Sequence, residues 1–227
     1  MGTAAVSVRT AFDPAAHGFP FPNCFPCGKP VFVVRTPLGT VPVGDASKGL
    51  CGGMVFAALD LHRHGRPVPP DADAPGLHAY LARRLWHSFR LPWGVARVYQ
   101  WMGRPDVAGK GVRTQTARRE WPLVRASLDR GDPAPLMLIK SDSRNPWAMG
   151  LNHQVLATGY DENPATGDVT LHLYEPNYPV GPGDEGVTLR FNTRAPDAAP
   201  VAHSREGGSV RGFFLNRYAP EQPPAFG

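Results

Sequence analysis

The spacing of apolar residues changes once along this chain, and that change restricts the fold more than any other feature of the sequence. From residue 50 to about 130, apolar residues recur at helical spacing; from 135 to 218 they alternate or run together in short stretches. Helices first and strands afterwards place the chain in the α+β class, with the two halves packed on each other.

Leu50, Met54, Ala57, Ala58 and Leu61 predict a helix over 50–64, ended by Gly65, Arg66 and Pro67. Leu77, Leu81, Leu85 and Phe89 predict a second over 75–90, with Pro75 suited to a helix start because its missing N–H would lack a partner there. A third and a fourth are expected over 93–102 and 121–130, the latter stopped by Gly131 and Pro133. Strands are expected at 29–36, 135–140, 152–160, 169–175, 186–191 and 210–218. Residues 1–30 suggest an irregular N-terminal arm that wraps on the body through Phe19, Phe21 and Phe25; 193–208 suggest a surface loop, and 219–227 a flexible tail. At 227 residues the chain is about one and a half times the usual ~150-residue domain, so one domain spanning 1–227 is expected.

Composition excludes several classes. The 25 Gly and 26 Pro show no Gly-X-Y period, which removes collagen, and three cysteines make no disulfide framework. No run approaches the ~18–20 apolar residues of a membrane span, and the first 22 residues lack a basic segment followed by an apolar one, so neither membrane nor signal peptide is expected and the compartment expected is cytoplasmic. Of the 24 basic residues 20 are Arg, scattered rather than striped, so the net charge of +5 is better read as a solvated surface than as a nucleic-acid footprint.

Cys51, in SKGLCGGMVFAALD, stands at the start of the first helix, where unpaired N–H groups and a partial positive charge favour thiolate over thiol. Gly52 and Gly53 would let a substrate backbone come close. A cysteine there is also a common buried filler of space. His153 begins the apolar strand LNHQVLATGY, where a histidine needs a reason. If that strand and VTLHLYEPNYP form a hairpin turning near 164–165, His153 faces residues 175–177, and Glu175 and Asn177 share a strand face. Either would orient the imidazole, giving the base and orienter of a nucleophilic triad; a core histidine paired to Glu175 for structure alone is the alternative.

The order Cys51, His153, then Glu175 or Asn177 resembles the papain-like cysteine peptidases, and within them the bacteriocin-processing (double-glycine leader) peptidases. The matching segments are CGGM, HQVLATGY and EPNYP, within roughly 44–62 and 150–180. The resemblance implies a papain-like fold and a cysteine hydrolase acting on an amide, peptide or related acyl bond without a metal or cofactor. Cys51 would be the nucleophile, His153 the general base and then acid, and Glu175 or Asn177 the orienter. The Cys51 N–H would form part of an oxyanion hole, with Ser47, Gly52 and Asn152 as further oxyanion or substrate contacts. Two departures stand out: Asp45 occupies the position of the usual oxyanion Gln, where Ser47 or Lys48 would have to substitute, and the Asp-Pro turn has become Glu175-Pro176. They fit deamidation, transamidation, ligation or a non-catalytic binding protein on the same fold as well as peptidase activity.

Other constellations carry less. Cys24-x-x-Cys27 is a single pair with no second half to complete a zinc site, and its flanking prolines disfavour a thioredoxin-like helix start. Asp60, His62 and His64 stand two residues apart on a helix and so diverge. No H-E-x-x-H, P-loop or G-x-S-x-G motif is present.

Overall fold

Strand pairing and helix burial separate the chain into a helical face and a sheet, joined by contacts that cross between them. The structure is a computed structural model that describes residues 4–25, 32–36, 39–43, 49–143, 146–181, 183–207 and 209–226. Strand β1 (Val6–Arg9) and the short helix α1 (Pro14–His17) come first, followed by the hairpin β2 (Phe32–Thr36) and β3 (Gly39–Val43). Helices α2 (Cys51–Arg63), α3 (Leu77–Ser88), α4 (Trp93–Met102), α5 (Val112–Gln115) and α6 (Trp121–Asp129) follow, with a π-helical turn, Thr116–Glu120, between the last two. The remaining strands are β4 (Ala134–Ile139), β5 (His153–Asn163), β6 (Asp168–Tyr174), β7 (Val187–Asn192), β8 (Val201–His203), β9 (Ser209–Val210) and β10 (Gly212–Leu215).

The main sheet is antiparallel throughout, in the order β10-β4-β5-β6-β7-β8-β9, with β1 added to the far half of β5. The class is therefore mixed α+β, as the switch of periodicity predicts. One face of the sheet carries Leu156 and Tyr174 into the core of α2 and α3, while Val155, Ala157, Leu171 and Leu173 face a second core closed by Trp121, Val124 and Leu128 of α6.

A one-residue bulge sets which side chains meet. Near the turn Tyr160 pairs with Leu171, but beyond the irregularity at Thr158 Leu156 pairs with Tyr174. Because side chains alternate with period two, an extra residue in one strand changes which faces coincide afterwards. Carried on from the Leu156–Tyr174 pair, the shifted register puts Glu175 on the face of Val155 and His153; without the bulge it would lie on the face of Gln154.

Helices α2 and α3 approach closely because Gly53 has no side chain: a Cβ there would lie 2.1 Å from the Leu81 carbonyl oxygen. Gly52 does the same for Gln154 and Ser88, whose side-chain atoms would stand 2.3 and 2.5 Å from an added Cβ. These glycines make room for packing, and Gly52 is buried.

Both chain ends are more ordered than their composition suggests. The N-terminal arm contributes a strand, a short helix and the buried rings of Phe12, Phe19 and Phe25; a buried Phe stabilises by roughly 1.5–3 kcal/mol, which holds the arm down. The tail is not frayed. Asp60, fully buried, accepts from the Tyr218 hydroxyl at 2.6 Å and the Glu221 N–H at 2.8 Å, and Arg84 donates to the Ala219 carbonyl at 2.8 Å. Asp60 also accepts from Tyr80 at 2.7 Å and pairs with Arg84 at 2.7 Å, so burial and the carboxylate push both tyrosine hydroxyls well above their ordinary pKa. Residues 193–208 are likewise not all loop, since they include β8. Among the described residues, no helix is long and apolar enough to cross a membrane.

Candidate active site

Cys51 is the first residue of α2, so its N–H lies outside the helix ladder. Its position is fixed from the arm. The side-chain carbonyl of Asn23 accepts from the Leu50 N–H at 2.5 Å, and a Cβ on Gly49, which holds φ +91°, would come within 2.4 Å of Asn23 Nδ2. Glycine at 49 meets both demands, the left-handed backbone and the close approach. The helix start is thus held by a residue in a Pro-rich segment with no readable period.

His153 begins β5, paired with Leu138 of β4, and is 6 % exposed. Its Nε2–H donates to Glu175 Oε1 at 2.5 Å. Its ring also lies close enough to the Cys51 side chain for each to shift the other's ionisation, and with Nε2 committed to Glu175, Nδ1 is the atom left to face the sulfur. The imidazole therefore bridges sulfur and carboxylate.

Glu175 is fully buried and accepts from two further donors. The Asn177 N–H reaches Oε1 at 2.9 Å, and His203 Nε2 reaches Oε2 at 3.4 Å. Because the N–H groups of Arg205 and Glu206 both point at His203 Nδ1, at 3.3 and 3.2 Å, that ring carries its proton on Nε2 and donates it to Glu175.

The electrostatics follow from this contact set. Burial alone would push the Cys51 thiol up, but the adjacent imidazolium and the Gln154 N–H outweigh it, so the thiol is lowered. Burial opposes charge on His153 as well, yet the Cys51 sulfur and the Glu175 carboxylate push it up to about 10. Glu175 pays its burial cost through His153, His203 and the Asn177 N–H, which hold it down to about 2. A thiolate–imidazolium pair backed by an ionised carboxylate is the state these contacts favour at neutral pH.

Gln154 completes the surroundings. Its N–H faces the Cys51 sulfur, its Nε2 donates to Ser88 Oγ at 2.9 Å, and its Oε1 accepts from Asn216 at 2.9 Å. Asn216 donates also to the Ser88 carbonyl at 3.0 Å.

The structure thus brings Cys51, His153 and Glu175 together. Asn177 lies beside them but acts through its backbone; its side-chain oxygen accepts from Asn23 Nδ2 at 3.0 Å rather than touching His153. Asn152 turns its side-chain amide to other partners in this structure. Its Oδ1 accepts from the Lys140 and Ser141 N–H groups, and its Nδ2 is taken by the Met149 carbonyl and Met102 sulfur. Ser47, Asp45, Lys48 and Cys27 lie outside the described residues, while Cys24 is exposed with a free thiol. Asp60, His62 and His64 diverge: His62 packs on Phe12 and His17, and His64 donates to the Asp60 carbonyl. Among the described residues, no group of three His, Cys, Asp or Glu is placed to hold a metal ion.

Sequence reasoning missed Asn23, Gln154, His203 and Asn216. Gln154 is adjacent to His153 and Val201-Ala202-His203 does alternate buried and exposed, but three residues behind a Pro/Ala-rich stretch give too short a pattern to read. A cavity of about 580 Å³ lined by Thr10, Phe12, Thr158 and His172 touches none of Cys51, His153 and Glu175. No protein-family model matches the chain, and comparisons with curated proteins and with solved structures find no match.

Proposed function

We propose that this protein is a cysteine-dependent hydrolase of amide, peptide or related acyl bonds, built on a papain-like plan. The observation that carries the reading is the single imidazole of His153 placed between the Cys51 thiol and the Glu175 carboxylate. The order of the elements supports it: cysteine at the start of a buried helix, histidine at the start of a sheet strand, acid at the end of the next strand.

In this reading the Cys51 thiolate attacks the carbonyl carbon and a C–S bond forms as the carbonyl becomes an oxyanion. The Cys51 N–H at the head of α2 stabilises that charge. His153 gives its Nδ1 proton to the leaving amine, the C–N bond breaks, and a thioester remains. His153 then takes a proton from water, whose oxygen attacks the thioester; the C–S bond breaks and the thiolate returns. Glu175 stays ionised and stabilises the imidazolium.

The test is turnover of peptide pools in ¹⁸O-labelled water by wild type and Cys51→Ala, read by mass spectrometry. Hydrolysis places ¹⁸O in a new carboxylate; transfer to an amine leaves none there. Cleavage that survives Cys51→Ala unchanged contradicts the proposal.

A further inference from the structure

A groove of about 240 Å³ is lined by Arg90, Trp93, Arg97, Phe214, Asn216 and Arg217. It is smaller than the ~300–1,000 Å³ of pockets that enclose a whole small ligand, and so has the size of a subsite. Asn216 connects it to the chemistry. That side chain, buried in the groove wall, donates to Gln154, whose N–H holds the Cys51 sulfur.

Charge and shape narrow what fits. The wall contains three arginines and no carboxylate. Arg97 is committed: it donates to the Leu215 carbonyl at 3.1 Å and to Glu120 at 2.7 Å, and lies over the Phe214 ring at 4.3 Å. Arg90 and Arg217 are exposed and make no ion pair with a described residue. Trp93, 80 % exposed, stands on the rim at the first position of α4. The turn that presents these groups is tightly built. Arg90 holds a left-handed backbone (φ 46°), rare for a side chain of this kind, and Gly94 lies so close that a Cβ would stand 1.9 Å from the Phe89 carbonyl.

We propose that this groove is a substrate subsite for an acidic residue, so that the protein takes peptides carrying a carboxylate side chain near the bond presented to Cys51. The proposal rests on the hydrolase reading above. Arg90 and Arg217 supply planar donor forks that match a carboxylate, and the Trp93 face covers the methylenes that carry it. A single-stranded nucleic acid also seeks cations and aromatic faces, but it needs a long track, whereas this groove is short and its Asn216 wall is bonded to Gln154, the neighbour of His153.

The test uses the Cys51→Ala protein, which binds without turnover, and short fluorescein-labelled alanine-based peptides carrying Glu or Gln at one scanned position. Fluorescence anisotropy at low salt is expected to show one position where Glu binds about tenfold tighter than Gln. In Arg90→Ala/Arg217→Ala that preference should fall below about twofold, with thermal stability retained because both side chains are exposed. Equal affinity for Glu and Gln at every position, a preference that survives the double substitution, or tighter binding of a labelled oligothymidine overturns the subsite. These results are independent of catalysis: an unreactive Cys51 thiol in wild type overturns the hydrolase reading instead.

Discussion

Asn23 Nδ2 donates to Asn177 Oδ1 at 3.0 Å, tying the N-terminal arm to the loop that carries Glu175. The same amide accepts from the Leu50 N–H, and the Asn23 N–H donates to the Pro176 carbonyl at 2.8 Å. One arm residue therefore holds both sides of the candidate site: the start of α2 and the loop after β6. Asn23→Ala leaves the Leu50 N–H and Asn177 without these partners. It should cost about 1–3 kcal/mol by urea denaturation and slow alkylation of Cys51. An unchanged alkylation rate would show that the arm does not position the thiol.

The charge on Glu175 makes stability depend on pH with a definite sign. Its folded pKa, about 2, lies below its ordinary 4.5. The contribution is therefore full above about pH 4.5 and is lost as pH falls through the folded value. Glu175→Gln removes it. Unfolding free energies of wild type and variant from urea titration should differ by about 3 kcal/mol near pH 6 and converge on acidification. A difference that does not shrink in acid would mean that packing, rather than charge, holds this side chain.

The two glycines of α2 should fail in different ways. Gly53→Ala forces a Cβ against the Leu81 carbonyl, which is backbone and cannot move aside, and should lower stability by about 1–3 kcal/mol in thermal unfolding. Gly52→Ala meets the side chains of Gln154 and Ser88. They can shift, so its larger effect should be on thiol reactivity. Equal effects of both substitutions on both measurements would count against this division.

Asp60 and Arg84 should matter for the whole helical face. Asp60→Ala leaves Arg84, 1 % exposed, without its buried partner and frees the tail from Tyr218 to Glu221. A loss of about 3–5 kcal/mol is expected, together with proteolysis after residue 216. Retention of an intact tail in limited proteolysis would contradict the anchoring role.

The helices and long strands were legible because their periodicity is imposed by burial: α2 and α3 start and stop within about two residues of the expected limits, and β5 starts within one and runs on three residues further. The approach of Cys51 and His153 was legible because a cysteine at a helix start and a histidine in an apolar strand are unusual placements. The choice between Glu175 and Asn177 was not, because it depends on β6 ending at Tyr174 and on Asn23 taking the Asn177 side chain, which no local composition announces. The roles of Asn23 and His203 escaped for a similar reason. Each acts through contacts 27 or 28 residues away in the chain, within segments too short or too rich in Pro to show a period. The tail failed in the opposite direction, since its Pro-rich composition suggests fraying while buried Asp60 and Arg84 fix it.

The most direct test of the central claim is the pH profile of alkylation at Cys51, read by peptide mass spectrometry in wild type and His153→Ala. A free cysteine thiol ionises near pH 8.5, and pairing with an imidazolium lowers that by several units. Labelling of wild type should stay rapid below neutral pH, while His153→Ala should label only as pH approaches the ordinary thiol range. Identical profiles in the two proteins, or no labelling of wild type until it unfolds, would contradict an activated nucleophile and leave Cys51 a packing residue.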